Sequence, residues 1–122
     1  MAEAQKPWPT EIRLKKDRRT LVVTYDDGKA FELAAELLRV LSPSAEVQGH
    51  SAEQRKTVPG MRNVSIRSVD QVGNYAVRLL FSDGHSTGIF TWDYLAKLGR
   101  ERESLWAAYL GELAAKGLSR EV

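Results

Sequence analysis

Val77-Arg78-Leu79-Leu80-Phe81-Ser82-Asp83-Gly84-His85-Ser86-Thr87-Gly88-Ile89-Phe90-Thr91-Trp92-Asp93-Tyr94-Leu95 is the stretch whose reading decides the fold. With Tyr75 in front of it, Val77, Leu79 and Phe81 alternate onto one face, as strand residues do. Ser82-Asp83-Gly84 reads as a tight turn, because glycine adopts the positive φ such turns need. Ser86 to Phe90 is expected to return as a second strand. Thr91 is a helix cap, and Trp92, Leu95 and Leu98 follow at helical spacing, with Gly99 expected to close the helix.

Working outward, the same order recurs from Leu21 to Leu38. Leu21 to Tyr25 is β-branched and aromatic, Asp26-Asp27-Gly28 is a turn, and Ala30 to Leu33 runs back with Phe31 and Leu33 inward. Leu37, Leu38 and Leu41 then suit one face of a short helix over Ala34 to Val40, ended by Pro43. In this alignment Lys29 stands where His85 stands. Glu11 to Lys15 predicts a further strand, and Asp17-Arg18-Arg19 a polar turn. Val64, Ile66 and Val69 resume strand character, and Gly73-Asn74 punctuates before Tyr75. Ser42 to Arg62 is polar, carries two prolines and two glycines, and is expected to be a long loop. Arg100 to Lys116 predicts an amphipathic helix with Leu105, Trp106, Tyr109, Leu110 and Leu113 as its apolar stripe. Gly117 should stop it, and the last residues should fray. The expected fold class is therefore α+β: small antiparallel β-hairpin units with short helices and a C-terminal amphipathic helix. Residues 1–10 form an N-terminal arm with Trp8 against the body, 11–99 the domain proper, and 100–122 a helical extension.

At 122 residues, 43% hydrophobic and 28% charged, the composition is that of one ordinary globular domain. The absence of cysteine excludes disulfides, thiolate metal sites and cysteine nucleophiles, and fits a reducing cytoplasm. No segment approaches the ~20 apolar residues of a membrane helix, and Met1 to Thr10 has no apolar core of a secretory signal. The net charge is only +2 with both signs interspersed. Arg13, Lys15, Lys16, Arg18 and Arg19 form the one dense basic run, read as a solvated turn rather than a nucleic-acid patch.

Catalytic motifs are missing. There is no phosphate-binding loop, no dinucleotide fingerprint, no Gly-x-Ser-x-Gly elbow and no His-Glu-x-x-His helix. An iron facial triad would need both His50 and His85, and neither is followed two positions on by an acid. In Asp83-Gly84-His85-Ser86-Thr87, His85 reads as a turn histidine, or else as a metal ligand or proton-transfer group aided by Asp83. Asp26 and Asp27 read as turn residues rather than cation ligands. Trp92, Trp106 and Tyr109 read as core, since they keep the spacing of their elements rather than interleaving with basic residues.

Two segments carry a resemblance. They are Leu38-Arg39-Val40-Leu41-Ser42-Pro43-Ser44-Ala45-Glu46-Val47, and Val72-Gly73-Asn74-Tyr75-Ala76-Val77-Arg78 through Asp83-Gly84-His85 to Trp92-Asp93-Tyr94-Leu95. Over residues 11–99 the chain resembles the N-terminal domain of gamma-butyrobetaine hydroxylases, and more closely the freestanding bacterial proteins of unknown function built from that domain alone. In the hydroxylases the domain holds a structural zinc through a Cys-Pro-Cys-x-x-Cys run and a histidine in an Asp-x-His turn. Matched position by position, the cysteines fall on Ser42, Ser44 and Val47, and the histidine on His85. The resemblance therefore implies one retained zinc-ligand position of four, no resident metal, and His85 left as a turn residue near Ser42 and Ser44. The iron and 2-oxoglutarate site of the hydroxylases lies in a separate barrel, so no catalytic residue carries over. Related domains are also fused to iron–sulfur carrier proteins, which points to a portable interaction module.

The resulting expectation is a non-enzymatic, cofactor-free cytoplasmic accessory domain with a protein partner. Its candidate contact or dimer surface is Leu105, Trp106, Tyr109 and Leu113. The alternatives are a metal-binding accessory protein of an iron-dependent oxygenase or iron–sulfur pathway using His85, and a weak nucleic-acid binder through Arg13 to Arg19.

Overall fold

The computed structural model describes residues 8–121. Two three-stranded antiparallel sheets make up the β part. In the first, β1 (Pro9–Leu14), β2 (Thr20–Tyr25) and β3 (Ala30–Ala34) lie in the order β1-β2-β3. In the second, β4 (Ile66–Val72), β5 (Ala76–Phe81) and β6 (Ile89–Thr91) repeat that order. Each sheet runs directly into a helix, α1 (Ala35–Val40) after β3 and α3 (Trp92–Arg100) after β6. The predicted α+β class, with small antiparallel units, short helices and a C-terminal helix α4 (Arg102–Ala115), is the observed one.

Strand registry follows the apolar pattern. Val23 opposes Phe31 and Leu21 opposes Leu33 in the first sheet, while Val77 opposes Phe90 in the second. Their inner faces join in one core with Leu38, Ile66, Leu79, Phe81, Trp92, Leu95 and Leu98. Fully burying side chains of this kind stabilises by roughly 1.5–3 kcal/mol each. Where α3 packs on β3 the Phe31 ring presses on the helix backbone: a Cβ on Gly99 would lie 2.3 Å from it. Gly99 thus sits inside α3 rather than closing it, and the helix runs on to a cap at Glu101. The signal that read as a stop is a packing requirement.

Other expectations also change. Pro9 and Thr10, expected in the arm, belong to β1, and residues 1–7 lie outside the described residues. The stretch from Ser42 to Arg62 contains α2 (Ala45–Gln48), capped by Ser44, and a 3₁₀ turn at Ala52–Gln54. Tyr75 precedes β5 and is 51% exposed, so it does not share the inner face of Val77, Leu79 and Phe81. The return strand after the second turn begins only at Ile89.

Among the described residues, those after α4 are held by hydrogen bonds, where fraying was expected. Gly117 takes a φ of +66°, and Leu118 N–H donates to the Leu113 carbonyl at 2.8 Å, ending α4 in the manner of a glycine cap. Beyond it, Gly60 and Arg62 N–H groups donate to the carbonyls of Ser119 and Arg120. The Arg120 guanidinium grips the buried Glu36 carboxylate through two bonds of 2.8 and 2.7 Å and lies 5.1 Å over the Trp106 ring. A bidentate pair of this kind is among the stronger polar contacts. Sequence periodicity could not reveal it, since the partners are 84 positions apart.

Candidate functional site

The residues singled out from sequence gather at one junction, where the segment after α1 meets the connection between β5 and β6. Leu41 and Ser42 end α1, and Ser44 begins α2 by accepting the Glu46 N–H at 3.2 Å. Opposite, the turn at Gly84 (φ +92°) presents His85, whose N–H donates to Asp83 Oδ1 at 3.2 Å. Ser42 Oγ lies 2.9 Å from His85 Nε2. Ser44 Oγ lies 2.6 Å from Thr87 Oγ1, and the Thr87 hydroxyl donates to Glu46 Oε2 at 2.6 Å. The same Glu46 oxygen is 3.2 Å from His85 Nδ1. Val47 is buried and lines the groove that runs past His85, a cavity of about 630 Å³.

The polar roles follow from the partners. Burial holds His85 below its ordinary pKa, and the Arg39 charge adds to this against the opposing pull of Glu46 and Asp83. The Thr87 hydrogen bond keeps Glu46 ionised to lower pH than usual. A neutral imidazole with its proton on Nδ1 faces the carboxylate and leaves Nε2 to accept from Ser42. Ser42 Oγ in turn accepts the Ser44 N–H at 3.3 Å. Around this circuit, Arg39 Nε donates to Asp83 at 2.8 Å, Gln48 to the Ser42 carbonyl at 2.9 Å, and the Tyr94 hydroxyl to the Leu41 carbonyl.

Serine, histidine and carboxylate are thus connected in the order of a hydrolytic relay. Such a relay works only when the hydroxyl reaches a substrate carbonyl, and Ser42 is 0% exposed. Its Oγ also closes against Gly88, where an added Cβ would lie only 2.2 Å away. The arrangement can brace two segments but cannot admit a substrate to this hydroxyl. Nor does a tetrahedral zinc fit. Val47 has no donor atom, both hydroxyls are engaged in hydrogen bonds, and serine hydroxyls ligate zinc poorly at neutral pH. Among the described residues no three of His, Cys, Asp or Glu come together as metal ligands.

Sequence reading named Ser42, Ser44, Val47 and His85 and missed Glu46, Thr87 and Gly88. The acid beside Val47, and the threonine and glycine just past His85, were the available signals. His50 sits on the loop after α2, its backbone N–H bonded to Gln54. Three residues of the basic run also make hydrogen bonds within the chain. Lys15 pairs with Glu32 at 2.9 Å, Arg18 donates to the Arg67 carbonyl at 2.7 Å, and Arg19 donates to the Arg62 carbonyl at 2.7 Å. The turn is exposed, as expected of a solvated turn, and in addition Arg18 (φ +61°) reaches β4 while Arg19 reaches the segment just before it. Asp27 accepts the Lys29 N–H, the turn role read for it.

The apolar stripe of α4 is also spent in part. Tyr109 and Leu113 are buried against Val40, with Leu41, Val58, Met61 and Trp106 packed around them. Burial and the nearby Glu36 push the Tyr109 hydroxyl up to about 12, and it donates to the Val58 carbonyl at 2.6 Å. The candidate contact surface of Leu105, Trp106, Tyr109 and Leu113 therefore reduces to the half-buried Leu105 and Trp106. Leu110 and Leu118, each 39% exposed, are the large exposed apolar side chains on and just after this helix.

Comparison with known proteins agrees with this fold. The family model described as gamma-butyrobetaine hydroxylase-like, N-terminal, matches residues 12–96. Two structures solved by NMR in solution are 45% and 42% identical, with TM-scores of 0.83 and 0.82. The first covers 96% of this chain and 92% of its own, the second 98% and 89%. A crystal structure of a protein of unknown function from Acidithiobacillus ferrooxidans, assigned to the DUF971 family, is 44% identical over 75% of this chain and 91% of its own, with a TM-score of 0.63. No curated protein matches the chain.

Proposed function

Because this chain belongs to the gamma-butyrobetaine hydroxylase-like N-terminal family, we propose that it is a non-catalytic accessory domain of the cytoplasm that docks onto a separate protein, its zinc site degenerate. One observation carries the reading: the two serine hydroxyls are turned inward, while large apolar side chains face out. Ser42 and Ser44 are buried and bonded to partners, whereas Leu110, Leu118, Tyr75 and Ile89 are exposed. An enzyme using either serine would need the opposite, with that nucleophile open to a pocket. No helix among the described residues is long and apolar enough to cross a membrane.

The test uses the intact chain as bait in native lysate, followed by reconstitution with the purified candidate. A stoichiometric partner that binds the wild type but not Leu110→Glu, with both proteins equally folded, supports docking through the α4 side. Failure to reconstitute any complex, or turnover by the purified chain of any small substrate, removes the proposal.

A further inference from the structure

We infer that Ser42, Ser44, Glu46, His85 and Thr87 form a metal-free clasp that performs the structural task of a tetrahedral metal centre on the same backbone positions. The inference deepens the reading above, on which it rests in one respect: that the zinc site is lost. A structural metal ties distant segments together through four short bonds. The two segments tied in this chain are residues 42–47 and 85–87, some 40 positions apart. Three of the four ligand positions still converge, with Ser42 touching His85 directly and Ser44 reaching Thr87, two residues on. Val47 lines the same groove as His85.

What replaces the ion is a circuit in which each hydroxyl both donates and accepts. Ser42 donates to His85 and accepts from the Ser44 N–H. Ser44 bonds Thr87 and accepts from the Glu46 N–H. Thr87 donates to Glu46, whose carboxylate also faces His85 Nδ1. Two members, Glu46 and Thr87, stand outside the four ligand positions, and they supply the polar partners that the hydroxyls need once no ion balances them. Buried hydroxyls without such partners would each be costly. Gly88 belongs to the same device, since only a residue without a Cβ lets the chain pass Ser42 Oγ.

Two consequences can be measured. Thermal unfolding of the intact chain should be unchanged by added zinc or by a chelator, and the desalted protein should hold fewer than about 0.1 zinc per chain after equilibration with the metal. Thr87→Val and Ser42→Ala, made in that metal-free protein, should each lower the unfolding midpoint by roughly 3–8 °C. The combined Ser42→Cys, Ser44→Cys, Val47→Cys variant should recover about one zinc per chain, with His85 as fourth ligand, and lose it on His85→Ala. Stoichiometric zinc in the wild type would overturn the loss of the metal site. Undiminished midpoints in both single variants would overturn the clasp even if no zinc is bound. A triple variant that folds, with or without metal in the refolding buffer, yet binds none would overturn the convergence of the four positions. None of these readouts depends on a partner, so they stand or fall separately from the docking experiment.

Discussion

The unit from β2 to α1 and the unit from β5 to α3 share one turn and differ in the path of the chain beyond it. In the first, Tyr25 N–H donates to Lys29 O at 2.8 Å and Gly28 N–H to Tyr25 O at 3.0 Å. In the second, Phe81 N–H donates to His85 O at 2.9 Å and Gly84 N–H to Phe81 O at 2.9 Å. Asp27 accepts the Lys29 N–H at 2.9 Å, as Asp83 accepts that of His85 at 3.2 Å. The two glycines take φ values of +87° and +92°, and a Cβ on either would meet nothing within 4 Å. Past the turn, β3 pairs at once from Ala30, while the second unit leaves the ladder until Ile89. The intervening residues go instead to Ser42, Ser44 and Glu46. Lys29 is exposed; the His85 side chain is only 5% exposed. A turn can be specified by three residues, but whether its return strand forms depends on what else competes for that backbone.

The difference predicts unequal sensitivity to substitution. Gly88→Ala should be the most damaging change, because the new methyl meets Ser42 Oγ and forces the clasp open. A loss of about 2–4 kcal/mol in urea unfolding is expected, and a loss no larger than that of Gly84→Ala would remove Gly88 from the clasp. Gly99→Ala tests where the two units dock; pressing on the Phe31 ring, it should cost about 1–3 kcal/mol. Gly28→Ala and Gly84→Ala should cost about 1–2 kcal/mol each, from backbone handedness alone. Unequal costs at these two positions would show that the turns are not equivalent.

Acid should separate the units further. The native state resists protonating His85, whose folded pKa lies below the ordinary 6.5. The unfolded chain binds the proton first, so stability contributed by neutral His85 is present above pH 6.5 and is lost as pH falls through the lowered folded value. Glu46, also lowered, adds a loss at more acid pH, below its ordinary 4.5, reduced by its exposure to solvent. Unfolding midpoints measured from about pH 7.5 to about pH 5 should fall for the wild type and flatten for His85→Gln, while Lys29→Gln should leave the slope unchanged. An identical slope in all three would mean that His85 does not titrate between these states. The smallest expected effect is that of Leu110→Glu on stability, within about 0.5 kcal/mol, which makes it the clean probe of surface docking.

The sequence by itself determined the elements that depend on near neighbours. Both Asp-Gly turns, the Thr91 cap, whose Oγ1 accepts the Tyr94 N–H at 3.1 Å, and the alternation of Leu21, Val23, Val77 and Leu79 are set by φ preference, short hydrogen bonds and periodicity. The family was legible too, because its motif residues lie in two continuous runs. Tertiary structure alone decided that Leu113 of the α4 stripe is core, that Arg18 and Arg19 reach β4 and the segment before it, and that Arg120 locks the C-terminal residues to Glu36. It also decided that Glu46, Thr87 and Gly88 complete a circuit with Ser42, Ser44 and His85. These pairings join residues that are tens of positions apart. They carry no period, and each is fixed only when the core has brought the two sheets and their helices together.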